Sequence, residues 1–557
     1  MAQEWYFLSV LLGIDCDPLS HSMGDIMHSR RSFFGAVLLA GCLALSVGVA
    51  GAAPKTTTAD HSKFKELQQT FNTGPEVTKA CLSCHTEAAK QVHRTKHWTW
   101  EFLNPENNQR LGKKNVLNNF CISIPQNTPF CTTCHVGYGW KDKHFDFSKE
   151  ESVDCLVCHD TTGAYKKIPG TGGMAFGKDM ELPPGSGKIV KGIDLTKISQ
   201  KVGKTSRDTC GGCHFFGGGG DGVKHGDMDS SLAAPEAELD VHMDAAGLDF
   251  TCGTCHATSS HDVPGSRYTP TAIDKGGAHI RGKAVQGNPA TCVSCHNNTP
   301  HKSGDHADRL NHHAKKVACQ TCHIPEFARG GVATKMGWDW STAGQLDKDG
   351  KQFVKKDEKG KIIYESRKGD FEVGTNVKPA YRWFNGDIHY TLLDDKIDPT
   401  HQPIGINKIG GSPSDGRSLI WPMKIMHGKQ PFDAENMNLV TPHTAGNDDY
   451  GYWKNLNWAK AIESGMKDSG MPFSGKMDFV STEMYWPITH MVAPKDKALG
   501  CTECHAKGGR LEGIEGVYVF AQHNNKWVDL FGWTLVILTL LGVLGHGFIR
   551  IISSKKD

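Results

Sequence analysis

Apolar positions in this 557-residue chain seldom settle into a long regular period. One stretch is an exception: residues 530–549 are uncharged and overwhelmingly apolar, and a membrane-spanning helix needs about 20 such residues. Arg550, Lys555 and Lys556 follow it, which predicts a C-terminal transmembrane helix ending in the cytoplasm. A second apolar run begins at Phe33 behind Arg30 and Arg31 and closes on Ala50-Gly51-Ala52. That pattern predicts a signal peptide starting at Met27 and cleaved near Ala52. Leu39-Ala40-Gly41-Cys42 resembles a lipoprotein box, but the apolar residues 43–50 make a poor start for a mature lipoprotein. Between these ends, Gln352-Phe353-Val354 and residues 361–366 flank a charged, turn-rich stretch, the pattern of an exposed β-hairpin. Elsewhere, 63 glycines and 25 prolines predict short helices joined by loops.

Hydrophobic residues make up 38% of the chain, so something besides side chains must supply part of the core. The cysteines say what. There are 19, and 16 of them fall in eight copies of Cys-x-x-Cys-His. These are Cys81-Cys84-His85, Cys131-Cys134-His135, Cys155-Cys158-His159, Cys210-Cys213-His214, Cys252-Cys255-His256, Cys292-Cys295-His296, Cys319-Cys322-His323 and Cys501-Cys504-His505. Chance gives roughly 0.03 copies of this haem-attachment pattern at such a composition. Two thiols at that spacing reach the two vinyl groups of one porphyrin, and the following histidine lies under the iron. Zinc ribbons need paired knuckles and no fixed histidine, and a disulfide framework needs no histidine at all. The reading is eight covalently bound haem c groups.

Haem is attached outside the cytoplasm, which favours the general secretory route over a twin-arginine reading of residues 29–34. The chain then divides into a presequence (1–52), a seven-haem exported region (53–323), a second exported region with the eighth haem and further ligands (324–525), and a membrane helix (526–552). The expected architecture is a multihaem cytochrome c fold, mainly α with many loops. Stacked haems form its core, with a minor β-hairpin and one C-terminal transmembrane helix. Its place is the periplasmic side of the inner membrane. A net charge of +2 gives no field for nucleic acid. Calcium is a candidate further ion, with no residue marked for it.

A low-spin haem takes a second axial ligand, usually histidine. Removing His21, His28, His546 and the eight motif histidines from the 29 leaves 18. The better placed of these follow a motif closely or sit beside Gly or Pro. They are His97, His225, His242, His261, His279, His301, His306, His313, His427, His443 and His490. Catalysis, unlike electron transfer, needs one haem whose distal ligand can leave.

Outside the motifs and the presequence one cysteine remains, Cys121, ahead of the second motif. It reads either as an inert buried thiol or as a reactive group. After the fourth motif, residues 215–227 hold four consecutive glycines, then Asp221, Lys224 and His225. Glycines let a backbone lie close against a flat porphyrin. Adjacent Lys224 and His225, if extended, point to opposite faces. The blander reading is a flexible loop with solvated charges.

These strings resemble the octahaem tetrathionate reductases, relatives of the hydroxylamine oxidoreductases. The resemblance rests on eight motifs with a long last gap and on CLSCH…HWTW, NNFCISI, CHVGYGW, DCLVCHDTTG, GGGGDGVKHGD, KVACQTCHIPEFARGG, WDWSTAG and HMVAPKDKALGCTECH. It implies that the haem of Cys131-Cys134-His135 carries a lysine amine as distal ligand, with a cysteine and an aspartate beside it. Carried over, these are Lys224, Cys121 and Asp221; Lys141, Lys143, Lys166 and Lys167 are runner-up ligands. The implied activity is respiratory reduction of a small inorganic sulfur or nitrogen substrate, tetrathionate, nitrite or hydroxylamine. A quinol-linked membrane cytochrome or a small periplasmic cytochrome would donate the electrons. The alternatives are a non-catalytic electron conduit and a hydroxylamine oxidoreductase-like enzyme. The membrane helix goes beyond the soluble pattern of that family.

Overall fold

The protein is described by a computed structural model covering residues 59–554, apart from 125–126, 267–277, 281–282, 286–289, 447 and 520–525. The signal-peptide reading of residues 1–52 lies outside the described residues. Side chains of residues 267–289 are likewise not described, His279 among them.

Each Cys-x-x-Cys-His motif sits on a short helical turn. Gly74–Leu82 ends on the first motif, and Thr128–Cys131 runs into Thr132–Cys134 at the second. The others lie on or beside Leu156–His159, Arg207–His214, Cys252–Cys255, Val293–His296, Cys319–His323 and Cys501–His505. Helical winding puts cysteines three residues apart on one face, as two bonds to one ring require. Two of these turns are started by capping boxes, Ser206 with Thr209 and Thr251 with Thr254, which satisfy first-turn N–H groups.

The region after the seventh motif is built on a nine-stranded sheet, larger than the single hairpin the pattern predicts. Its strands are β1 (Thr334–Asp339), β2 (Val354–Lys356), β3 (Ile362–Glu365), β4 (Gly369–Gly374), β5 (Ala380–Phe384), β6 (Ile404–Gly405), β7 (Leu419–Asp433), β8 (Asn438–Leu439) and β9 (Met477–Pro487). The path runs β6-β9-β7-β1-β4-β3-β2, with β5 and β8 also pairing β7. The expected hairpin is β2 and β3, Val354 opposite Glu365. β7 is the spine. It pairs antiparallel with β9 from Met423↔Pro487 to Asp433↔Met477, and parallel with β1 at His427–Lys429.

Along β9, Val480, Thr482, Met484 and Trp486 are buried and their neighbours are not, the period of two that points one row inward. Val480, Met484 and Trp486 join Trp338, Trp340, Trp421, Met423 and Met426 in the main core. Leu117, Phe120, Ile122 and Val223, from the first part of the chain, pack into the same core. The sheet is therefore the platform for the segments around Cys121 and Lys224. Trp338 and Trp340 stack on each other there at 5.0 Å. Helix Lys526–Ser553 has no buried residue and is long and apolar enough to cross a membrane.

Candidate functional site

Seven motif histidines face a second histidine. Ring centres lie 6.4 Å apart for His85 and His61, 6.1 Å for His214 and His97, and 6.4 Å for His159 and His261. The separations are 6.5 Å for His256 and His490, and 6.0 Å for His296 and His242. They are 6.4 Å for His323 and His301, and 6.0 Å for His505 and His313. Metal–imidazole bonds are about 2 Å long, so two rings clasping one iron hold their centres roughly 6 Å apart. The residues fit haem c, and each pair names the histidines that would hold one.

Thiols of neighbouring motifs lie near one another. Cys81 lies against Cys155, Cys134 against Cys213, Cys210 against Cys252 and Cys292 against Cys319. Cys158 neighbours Cys210, Cys255 neighbours Cys295, and Cys322 neighbours Cys504. In motif order the neighbouring thiols run 1-3-4-5-6-7-8, with the second motif branching from the fourth.

The second motif is different. Among the described residues no histidine ring faces His135. Its ring is enclosed by Trp140 at 4.8 Å, Trp98 at 5.1 Å and Trp100 at 5.4 Å, with Phe145 and Phe147 beyond. Nε2 lies 2.6 Å from the Trp98 carbonyl oxygen, while Nδ1 is buried without a hydrogen-bond partner. Burial pushes this imidazole down to about 3.

Cys121 and Lys224 come to the neighbourhood of this motif, whereas Asp221 is engaged with Ser230. The Cys121 thiol donates to the Gly218 carbonyl at 3.4 Å and is felt electrostatically by Cys131. Lys224 is buried, with its Nζ 5.7 Å from the Trp486 ring, and its charge acts on Cys134 and His214. Lys113 and Lys167 also act on Cys134. Burial raises the Cys121 thiol, and Lys368 and Lys335 pull it back down. Asp221 accepts from the Ser230 N–H at 2.9 Å and from its hydroxyl; burial raises its carboxyl.

The sheet fixes both segments. Asn119 donates to the Met426 carbonyl at 2.6 Å, and the Trp340 indole donates to the Phe120 carbonyl at 2.8 Å. Ile122 beside Cys121 has φ +71°, a conformation that strains a β-branched residue. Lys424 donates to the carbonyls of Val223 and Lys224, each at 3.0 Å, and to Thr334 Oγ1 at 2.6 Å. Thr334 in turn donates to the Gly222 carbonyl at 2.6 Å.

Of the histidines singled out in the sequence, His97, His242, His261, His301, His313 and His490 face motif histidines. His225, His427 and His443 do not. His225 packs on Trp486 at 5.2 Å, His427 is exposed on β7, and His443 Nε2 lies 3.0 Å from Asp448. His306 precedes the helix Ala307–His313 and is exposed. His61, opposite His85, was not among those singled out. It stands ahead of its motif in a short turn capped by Asp60. Of the runner-up lysines, Lys141 and Lys143 are exposed. Lys167 is buried but pairs with Asp154 at 3.2 Å and donates to the Gly137 carbonyl.

Residues 335–508 match the family model "Cytochrome c bacterial", and residues 80–160 match "Cytochrome c554 and c-prime". An uncharacterized protein of Archaeoglobus fulgidus is 25% identical over 293 residues, 44% of this chain and 96% of its own. The crystal structure of octaheme cytochrome c from Shewanella oneidensis is similar at 41% sequence identity and a TM-score of 0.70. That similarity covers 82% of this chain and 97% of that one. The chain is a multihaem c-type cytochrome with covalently bound haem c and a redox function. At that identity and coverage, it belongs to the octahaem tetrathionate reductase family of multihaem c-type cytochromes.

Proposed function

We propose that this protein carries eight haems and is a periplasmic respiratory reductase of tetrathionate, or of nitrite or hydroxylamine. Residues 526–552 tether it to the inner membrane, and Lys224 is the displaceable ligand at the second motif. A quinol-linked membrane cytochrome or a small periplasmic cytochrome supplies the electrons. One observation carries the reading: His135 alone among the motif histidines has no facing imidazole among the described residues. His97 stands opposite His214, and the family resemblance implies the Lys224 amine for the second motif. The haems supply one-electron transfer and, at that motif, an iron with an exchangeable position.

The remaining chemistry belongs to side chains. Lysines 113, 335 and 368 hold an anionic substrate by charge. The Cys121 thiolate attacks the central S–S bond of tetrathionate, forming a cysteine S-thiosulfonate and expelling one thiosulfate. Two electrons then cleave that new S–S bond, releasing the second thiosulfate and restoring the thiolate. With nitrite or hydroxylamine, Lys224 would be the residue that holds the second-motif haem and can be displaced, and Cys121 would be a bystander.

Electron paramagnetic resonance of the purified holoprotein tests the reading. The expected result is one haem with a signature distinct from seven bis-imidazole centres. Lys224→His should convert it to an eighth such centre and abolish reduction at unchanged haem content. Eight uniform bis-imidazole haems in the wild type would overturn it.

A further inference from the structure

Ring hydrogen bonds distinguish the facing histidines from one another. Nδ1 of His159 lies 2.8 Å from the Gly203 carbonyl, and that of His256 lies 2.9 Å from the Pro264 carbonyl. Nδ1 of His261 lies 2.8 Å from Gln91 Oε1, and that of His301 lies 3.2 Å from Asn311 Oδ1. All four acceptors are neutral oxygens. His490 differs: its Nδ1 lies 3.2 Å from Asp227 Oδ2, with Thr489 Oγ1 beside it at 3.1 Å. The same carboxylate oxygen accepts the main-chain N–H of His490 at 3.0 Å and that of Thr489 at 2.7 Å. Asp227 is 1% exposed, and its Oδ1 has no hydrogen-bond partner among the described residues. The other carboxylate near a facing histidine, Asp240, is 3.8 Å from the His242 ring, too far for a hydrogen bond. Asp240 instead accepts main-chain N–H groups of His242, Met243, Met491 and Val492.

A carboxylate acceptor on the far nitrogen makes an imidazole a stronger donor to its metal and fixes its orientation. Extra donation stabilises ferric over ferrous iron and lowers the reduction potential. We propose that Asp227 is a potential-setting residue. Through His490 it makes the haem of Cys252-Cys255-His256 the lowest in potential of the histidine-paired haems. The inference rests on the facing histidines being axial ligands, but on no assignment of substrate. Its place gives it consequence. The neighbouring thiols put this motif between the fourth and the sixth, on the series that joins the eighth motif to the second. Asp227 also belongs to the loop that carries Lys224, so one short segment serves both the reaction site and the relay.

The test is a spectroelectrochemical titration of the holoprotein with Asp227→Asn. Asparagine keeps an acceptor for the main-chain N–H groups and loses the charge. One histidine-paired haem, the last to be reduced in the wild type, should move to a more positive potential. The other titrating centres and the haem content should stay in place. Asp240→Asn is the control, because Asp240 braces the same backbone without bonding a ligand ring; its more distant charge should move that haem far less. Redox-difference infrared spectra of the wild type give a readout independent of variant assembly, and carboxylate bands should change in step with the last histidine-paired haem. A superimposable Asp227→Asn titration, an equal shift with Asp240→Asn, or wild-type spectra without such bands would each overturn the proposal. The ligand assignment fails separately, if His490→Ala leaves every low-spin signal intact.

Discussion

Lys424 donates a hydrogen bond from its side-chain nitrogen to the backbone carbonyl of Lys224 at 3.0 Å. One fully buried lysine therefore anchors the residue that carries another. Its further bonds to Val223 and Thr334, and the bond from Thr334 to Gly222, grip three successive carbonyls of the glycine-rich loop. Burial pushes Lys424 down to about 7, with Asp227 pulling the other way. Such a residue is retained for what it holds, since methionine would fill the space without the desolvation cost of an ammonium.

Lys424→Met should therefore release the loop. Buried carbonyls left without donors cost about 1–3 kcal/mol each. The expected loss in denaturant unfolding is about 3 kcal/mol, with haem content retained. Paramagnetic resonance should show the second-motif haem altered and the other seven unchanged. An unaltered second-motif signal would show that Lys224 needs no such anchor.

Cys121→Ser separates sulfur chemistry from nitrogen chemistry. The thiol stands beside the glycine loop, with Lys335 and Lys368 close enough to lower its raised ionisation. Removing a nucleophile costs roughly 100-fold or more in turnover. Tetrathionate reduction should fall by that factor in steady-state assays, while nitrite and hydroxylamine reduction stay within about twofold. Equal losses on all three substrates would make the thiol a packing residue.

Much of the site was legible because haem attachment is local chemistry. A motif closed within five residues needs one helical turn, and each is found on one. Of the six facing histidines singled out in the sequence, His97, His261, His301 and His313 stand close behind a motif. His61 was hidden because it precedes its motif, and its partnership with His85 depends on how Asp60 caps its turn. The sheet was hidden for another reason. β7 carries Pro422, Lys424, Gln430, Pro431 and Asp433 among its apolar residues, which breaks any period of two. Lys424 is buried only because Val223, Lys224 and Thr334 accept its hydrogen bonds, and no local window contains those segments. His427 and His443 looked like ligands for the converse reason: a histidine near glycine or proline is common in loops and strands of any purpose.

His61→Ala tests the ligand that sequence order did not mark. With no second imidazole facing His85, the first haem should become high-spin. Paramagnetic resonance should count one fewer low-spin centre while covalent haem content is unchanged. The thiol contact between Cys81 and Cys155 places this haem at the end of the relay beyond the third, away from the route between the eighth and second motifs. Reductase activity should therefore fall by less than about twofold. A larger loss would place electron entry at this end.

Asp433 gives the sheet an acid limit. It closes β7 with no exposed surface. Burial raises its carboxyl, but the N–H groups of Glu435, Asn436 and Ser474, the Asn436 amide and the Ser474 hydroxyl outweigh that. The result is a carboxyl held at about 2, against an ordinary 3.8. Between those values the unfolded chain binds more protons than the folded one, so stability rises with pH. The contribution is fully present above the ordinary value and disappears as pH falls through about 2. A depression of this size is worth about 2 kcal/mol. Denaturant unfolding followed by circular dichroism should show wild type ahead of Asp433→Asn by that amount at pH about 6, with the gap closing by pH about 2. A gap independent of pH would assign the effect to lost hydrogen-bond geometry rather than to charge.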